Sequence, residues 1–186
     1  ASAIVDILDD AGLVKNRSCA KINSRIGHYT NLQANTYVLS PSMSFQEIMK
    51  VINEGDFEYI AKETIEVKDG ARLQQVAESI SEQLPYSSDE EYLKELIDRY
   101  WFLTDEILDD DVMYPLEGYL YADTYFVTAD SEDIEGFTEM CLDRMDDVLS
   151  ERRSEIEASG FSVHEILTLT SIVTKEAMAE DQTGVA

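Results

Sequence analysis

Histidine and cysteine are nearly absent from this chain of 186 residues, at two of each. Cys19 and Cys141 are far apart and in no metal-binding or redox spacing, which excludes a disulfide framework and a cysteine-bound zinc site as organising features. His28 and His164 are isolated too, so a histidine-based triad or metal cluster lacks members, and both read as structural. Positive charge is also scarce: 14 lysines and arginines against 39 acidic residues leave a formal charge of -25. Such a surface argues against binding nucleic acid or anionic lipid; it suits a neutral or cationic partner, or only keeps the chain soluble. No stretch approaches the roughly 18 apolar residues of a membrane span, and no signal peptide opens the chain. Internal repeats, low-complexity tracts and a glycine-rich phosphate loop are missing as well.

What is present is ordinary for a globular protein. Apolar residues make up 44% of a chain long enough to bury a core, as one domain or two small ones. Ile4, Val5, Leu8 and Ala11 share one helical face, with Gly12 as a stop. This helix lacks a cap or leading strand, so the chain reads as a piece of something longer. A second short helix is expected with Ser18 as cap, Ile22 and Ile26 inward and Gly27 at its end. Residues 36–40 (TYVLS) read as a strand closed by Pro41. Ser44 and Glu47 form a capping box opening a helix with Phe45, Ile48, Met49 and Ile52 inward, which Gly55 ends. An extended segment within residues 57–67 precedes the turn at Lys68, Asp69 and Gly70, and the best domain seam lies at residues 66–70.

Beyond the seam, Leu73, Val76, Ala77, Ile80 and Leu84 recur at helical spacing up to Pro85. A further helix over 89–100 is expected, with Ser88 and Glu91 at its start, leading into a core cluster of Trp101, Phe102 and Leu103. Residues 104–111 are acidic but lack the ligand alternation of a calcium loop, and read as solvated surface. Residues 114–128 crowd five aromatics and two carboxylates into a strand or loop, with Tyr119, Tyr121 and Tyr125 toward one side. Tyrosine, with an apolar face and a polar rim, suits sugar rings as well as cores. Residues 131–159 read as one long helix or two in line, with Ile134, Phe137, Met140, Cys141, Met145, Val148 and Leu149 inward.

Gly160 stops that helix, and Ser162 with Glu165 makes a second capping box. In the helix that follows, Ile166, Leu169, Val173 and Ala177 form an apolar stripe, and Glu176 falls on its flank beside Leu169 and Ile172. Desolvation raises a carboxyl pKa, and a glutamate so tuned serves as a proton donor near neutral pH. The plainer alternative is a boundary residue that snorkels to water.

Two segments resemble the signatures of a known family. LEGYLYADTY, at 116–125, is similar to LEGYLFPDTY, and LTLTSIVTKEA, at 167–177, is similar to LTLASIVEKEA, of the endolytic murein transglycosylases, or YceG-like proteins. Residues 32–55 resemble that family's LqAGtYxLxpgmsxxeIlxxLxxG pattern, and Val67 to Gly70 occupies its IPEG turn. The resemblance implies an α+β fold: a small LysM-like α/β unit over residues 1–66, then a mostly helical catalytic domain over 67–186, truncated at its C-terminal end. It implies cleavage of the β-1,4 bond between N-acetylmuramic acid and N-acetylglucosamine in peptidoglycan, with Glu176 as the catalytic residue and no cofactor. Glu117, Tyr119 and Tyr125 would bind substrate or orient Glu176; each could instead be structural.

The implied partners are glycan strands and cell-wall synthases, and no nucleic acid. An N-terminal membrane helix before Ala1 would hold this region outside the cytoplasmic membrane. The departures are Thr174 in place of a glutamate, Ala122 in place of a proline, and Lys68–Asp69 in place of Pro-Glu. The family continues past residue 186 through VFxNRL and LQxDpTxxYa segments, so the rear wall of the cleft is expected to be missing and the fragment to turn over glycan poorly. Two rivals stand beside this reading: a non-catalytic glycan-binding or scaffold module, and the aminodeoxychorismate lyase label attached to such sequences. The latter needs a pyridoxal phosphate lysine and a phosphate cup; Lys175 is the only lysine near a motif, and no such cup is seen.

Overall fold

Local capping chemistry sets several element boundaries in the computed structural model, which describes residues 2–27, 29–80, 85–131 and 133–176. The fold is α+β. The chain divides into two compact units, one within residues 1–64 together with 126–130, the other within 65–125 and 131–186. No sequence signal set residues 126–130 apart.

In the first unit, α1 (Ser2–Asp10), α2 (Arg17–Ile26) and α3 (Phe45–Glu54) surround a core of Leu8, Ile48, Met49 and Ile52. The start of α3 is the expected capping box: the Ser44 amide donates to Glu47 Oε2 at 2.7 Å and the Glu47 amide to Ser44 Oγ at 3.3 Å. Gly55 ends it in the left-handed region at φ 65°.

Three expectations for this unit are corrected. The cap of α2 is Asn16, which accepts from the Cys19 amide at 3.0 Å, and not Ser18. Ile22 and Ile26 are exposed, while Ala20 and Ser24 are buried. Asp6 of α1 pairs with Arg17 and Lys21, which share the side of α2 that carries Ala20 and Ser24, opposite Ile22 and Ile26. Residues 36–40 form no strand but one antiparallel bridge, Tyr37 with Ile60. The segment that pairs with it enters the bridge from a 3-10 turn at Phe57–Tyr59, which is not extended backbone.

Strands β1 (Glu63–Glu66) and β2 (Thr124–Val127) form a two-stranded sheet. Its second-unit end is set by the Val67 amide donating to the Asp123 carbonyl at 2.9 Å.

The second unit holds α4 (Leu73–Ser79), α5 (Glu90–Arg99), α6 (Ile134–Glu151), α7 (Arg153–Ser159) and α8 (Val163–Glu176). The Leu84 expected at the end of α4 lies outside the described residues, as do His28 and Ala177. Asp89, not Ser88, caps α5, accepting from the Glu91 and Tyr92 amides. The acidic stretch 104–111 is more than solvated surface. A 3-10 turn at Asp105–Leu108 drives Ile107 fully into the core while its acidic neighbours keep to the outside.

On α6 the buried face comprises Phe137, Thr138, Cys141, Leu142 and Met145; Met140, Val148 and Leu149 are only half-buried. A polar ladder explains the rotation. The Tyr92 hydroxyl donates to the Glu135 carbonyl, Arg99 pairs with Glu139, the Tyr100 hydroxyl donates to Asp143 at 2.7 Å and Trp101 Nε1 to Asp146 at 2.6 Å. These α6 positions recur at helical spacing along one stripe. Arg153 adds a cation–π contact, 4.4 Å from the centre of the Trp101 ring.

Candidate functional site

The site is built from the 116–125 segment and α8. The segment is folded from within: the Tyr125 hydroxyl donates to the Tyr121 carbonyl at 2.6 Å, and Gly118 takes a left-handed turn at φ 85° that a side chain would strain. Asp123 then accepts from the Thr124 amide at 2.7 Å and from Arg144 Nε at 2.9 Å. These bonds hold its carboxyl below the usual value, the backbone bond first and Arg144 second. Arg144 also lies over the Tyr121 ring, 5.4 Å from its centre.

Neither tyrosine in the candidate set faces solvent. Tyr119 is fully buried, stacked on Phe102 with ring centres 6.3 Å apart, and its hydroxyl lies 3.2 Å from His164 Nδ1. Tyr125 is 6% exposed, edge-on to Phe137 and beside the Cys141 thiol. Burial raises both phenol pKa values well above the usual one, so each hydroxyl keeps its proton. In this arrangement both rings pack against protein side chains.

Glu117 is exposed, and its Oε2 accepts from the Leu73 amide, the first of α4, at 3.3 Å. A carboxylate there also complements the helix dipole. Its charge is the second contributor, after burial, to the Tyr86 phenol being pushed up to about 12.

The capping box of α8 forms as expected: the Ser162 amide donates to Glu165 Oε2 at 2.8 Å and the Glu165 amide to Ser162 Oγ at 3.1 Å. The stripe above it is not buried. Leu169 is 50% exposed, Ile172 55% and Val173 45%, and Glu176 is exposed beside them. The drying expected at the Glu176 carboxyl is therefore not supplied by the residues described. Among the described residues, the helix is fixed to the core by its first turns only, where Val163 is buried and His164, Ile166 and Leu167 are half-buried.

His164, isolated in the sequence, is brought to Tyr119 by the fold. Its position three residues before Leu167, on the side of α8 that carries the half-buried residues, was the available signal. The four candidates thus fall into two sets, with Tyr119 and Tyr125 in the core and Glu117 and Glu176 at the surface. An open hollow of about 360 Å³ lies by the Lys68–Asp69–Gly70 turn, lined by Glu66, Gln75 and Glu78 among others and by none of the four. Among the described residues, no three His, Cys, Asp or Glu side chains gather where they could hold a metal ion.

The arrangement of a 116–125 turn packed on the base of α8 coincides with a family-wide match: the model of the YceG-like family aligns with residues 1–186. The chain belongs to the YceG-like family. This YceG-like chain is 29% identical over 198 aligned residues to the endolytic murein transglycosylase of Streptococcus pneumoniae serotype 2, covering 96% of the chain and 36% of that relative. It is 25% identical to the protein of the same name from Bacillus subtilis strain 168, covering 95% of the chain and 51% of the relative. The chain thus spans between about a third and a half of the length of these relatives. A crystal structure of a putative YceG-like protein from Listeria monocytogenes is similar in fold, with a TM-score of 0.56 at 30% identity, covering 96% of this chain and 61% of that one.

Proposed function

We propose that this YceG-like chain is part of an endolytic murein transglycosylase that acts on peptidoglycan outside the cytoplasmic membrane, in cell-wall biogenesis. Residues 1–66 are a LysM-like unit and residues 67–186 the leading part of the catalytic domain. The protein is held at the membrane by a helix N-terminal to this region and works alongside cell-wall synthases. The observation that carries the reading is the family match along the whole chain, and the resemblance of residues 167–177 to the family signature supports assigning Glu176, at the end of α8, as the reacting group.

The chemistry needs one carboxyl group. Protonated Glu176 gives its proton to the glycosidic oxygen as the bond from C1 of N-acetylmuramic acid to O4 of N-acetylglucosamine breaks. The resulting carboxylate takes the proton from the C6 hydroxyl of the same muramic residue, and O6 closes on C1 as a 1,6-anhydro ring. Acid and base roles thus alternate on one residue and no water is consumed. The nucleophile belongs to the substrate, so proximity supplies much of the rate and a second catalytic carboxylate is unnecessary. Glu117 and Tyr125 act here by holding the 116–125 segment against the helices around it.

The test digests purified murein with the full-length protein and its Glu176→Gln variant, followed by mass spectrometry of the products. Anhydro-ended glycans from the wild type and none from the variant are expected. Equal yields of such ends from both would sink the assignment. The exposure of Glu176 and of the α8 stripe favours a second reading, a glycan-binding or scaffold module without catalysis. Murein retention without cleavage by the full-length wild type would select it.

A further inference from the structure

The 116–125 segment meets the first turn of α8, just ahead of the second signature segment, at a polar contact that neither motif announces. The Tyr119 hydroxyl, in a wholly buried side chain, lies 3.2 Å from His164 Nδ1. A buried phenol keeps its proton to donate, and Nδ1 of a neutral imidazole accepts it. The rings also stack, with centres 6.1 Å apart, and the stack runs on through Phe102 to the edge-on Trp101. One turn along α8, a Cβ placed on Gly118 would lie 3.9 Å from Leu167 Cβ, so the segment follows the helix surface closely.

Among the described residues, the distal half of α8 has no comparable hold. From Thr168 to Thr174 each side chain is exposed, as is Glu176. At 1.5 Å per residue, Glu176 stands roughly 18 Å along the helix from His164. A tilt of about 5° at the base then shifts its carboxyl by roughly 1.6 Å, and a displacement of about 1 Å is enough to cost up to a hundredfold in rate.

We propose that His164 is a positioning residue for Glu176, its imidazole and the Tyr119 hydroxyl together fixing the direction in which α8 leaves the core. The purpose assigned to this clamp rests on the reading of Glu176 as the proton-transfer group. The clamp itself can be read without activity.

In the 186-residue chain, nitroxide labels at Thr174→Cys and Asp147→Cys, in a Cys19→Ser background, report the distance between α8 and α6. Buried Cys141 stays unlabelled. His164→Leu and Tyr119→Phe, the latter removing one oxygen and keeping the ring, are each expected to at least double the width of the distance distribution. His164→Asn, whose Oδ1 stands in for Nδ1, keeps it narrow. A distribution as narrow in His164→Leu as in wild type, or as broad in His164→Asn as in His164→Leu, overturns the clamp.

In the full-length protein, well below its unfolding midpoint, His164→Leu is expected to lower turnover at saturating murein about tenfold, with the half-saturating concentration unchanged and His164→Asn restoring the rate. If Glu176→Gln is inactive and His164→Leu turns over normally, the positioning role falls and the functional reading stands. If Glu176→Gln is fully active, the functional reading falls and takes the purpose of the clamp with it, while the label distances still report whether α8 is held.

Discussion

Cys19 and Cys141 predict opposite outcomes for the same reagent. Cys19 is exposed, whereas Cys141 has no accessible surface and burial pushes its thiol up to about 12. The thiolate is the reacting species, so a disulfide reagent at pH 8 is expected to modify Cys19 at once and Cys141 only after denaturation. Rapid reaction of both in native buffer would contradict the burial. Asp123 makes a second prediction at this scale. Its folded pKa is lowered by the Thr124 amide and Arg144, so its contribution to stability is present above the ordinary carboxylate value and lost as pH falls through the folded one. Urea unfolding at stepped pH is expected to show a shallower loss of stability below about pH 4 for Asp123→Asn than for wild type. Equal slopes would mean that these bonds persist in the unfolded chain or that Asp123 does not carry them. Sequence pattern had placed Asp123 only within a crowded aromatic stretch, because its partner Arg144 lies 21 residues away on α6.

Helix ends are where local sequence reads most directly, since a cap is an interaction over three residues. Both expected capping boxes formed at their expected residues, Ser44 with Glu47 and Ser162 with Glu165. Where a run offers several cap-forming side chains, as at Asn16 to Ser18 or Ser87 to Asp89, pattern alone does not choose among them; the geometry selected Asn16 and Asp89. The glycine stops differ in a way a substitution can measure. Gly55 and Gly160 both sit at positive φ, but a Cβ on Gly55 would collide with the Gln33 carboxamide, whereas nothing lies within 4 Å of one on Gly160. Gly160→Ala is expected to cost about 1–2 kcal/mol for the left-handed backbone alone. Gly55→Ala is expected to cost more, because Gln33 must swing away and lose its bond to the Glu54 carbonyl. Urea titrations followed by circular dichroism compare them, and a smaller loss at Gly55 would refute that ordering.

Over the whole molecule the dominant fact is a charge of -25. The ion pairs at Asp6, Glu139 and Asp123 involve side chains that are roughly a third or more exposed, and such pairs contribute little each. They leave most of the acidic surface to repel itself. Raising salt from 10 to 150 mM shortens the screening length from about 30 Å to about 8 Å, so the melting temperature is expected to rise with added sodium chloride. A flat or falling profile in a calorimeter would show that specific pairs outweigh the general repulsion. At this scale the chain also has an unevenly used helix. α8 is apolar enough for a core, yet only its first turns find one among the described residues, and no described helix is long and apolar enough to cross a membrane.

The sequence by itself determined what depends on neighbours a few residues apart: the α+β class, most helices, the two capping boxes, the glycine stops at 55 and 160, and the signature segments that carry family membership. Tertiary structure decided what depends on partners far along the chain. It left Ile22 and Ile26 exposed on the side of α2 opposite Ala20 and Ser24, and it reduced residues 36–40 to a single bridge beside the turn at Phe57–Tyr59. It also sank Tyr119 and Tyr125 into the core and joined Tyr119 to His164, 45 residues apart. Helical periodicity states which side chains share a face; which face is covered is fixed only by what the rest of the chain brings against it.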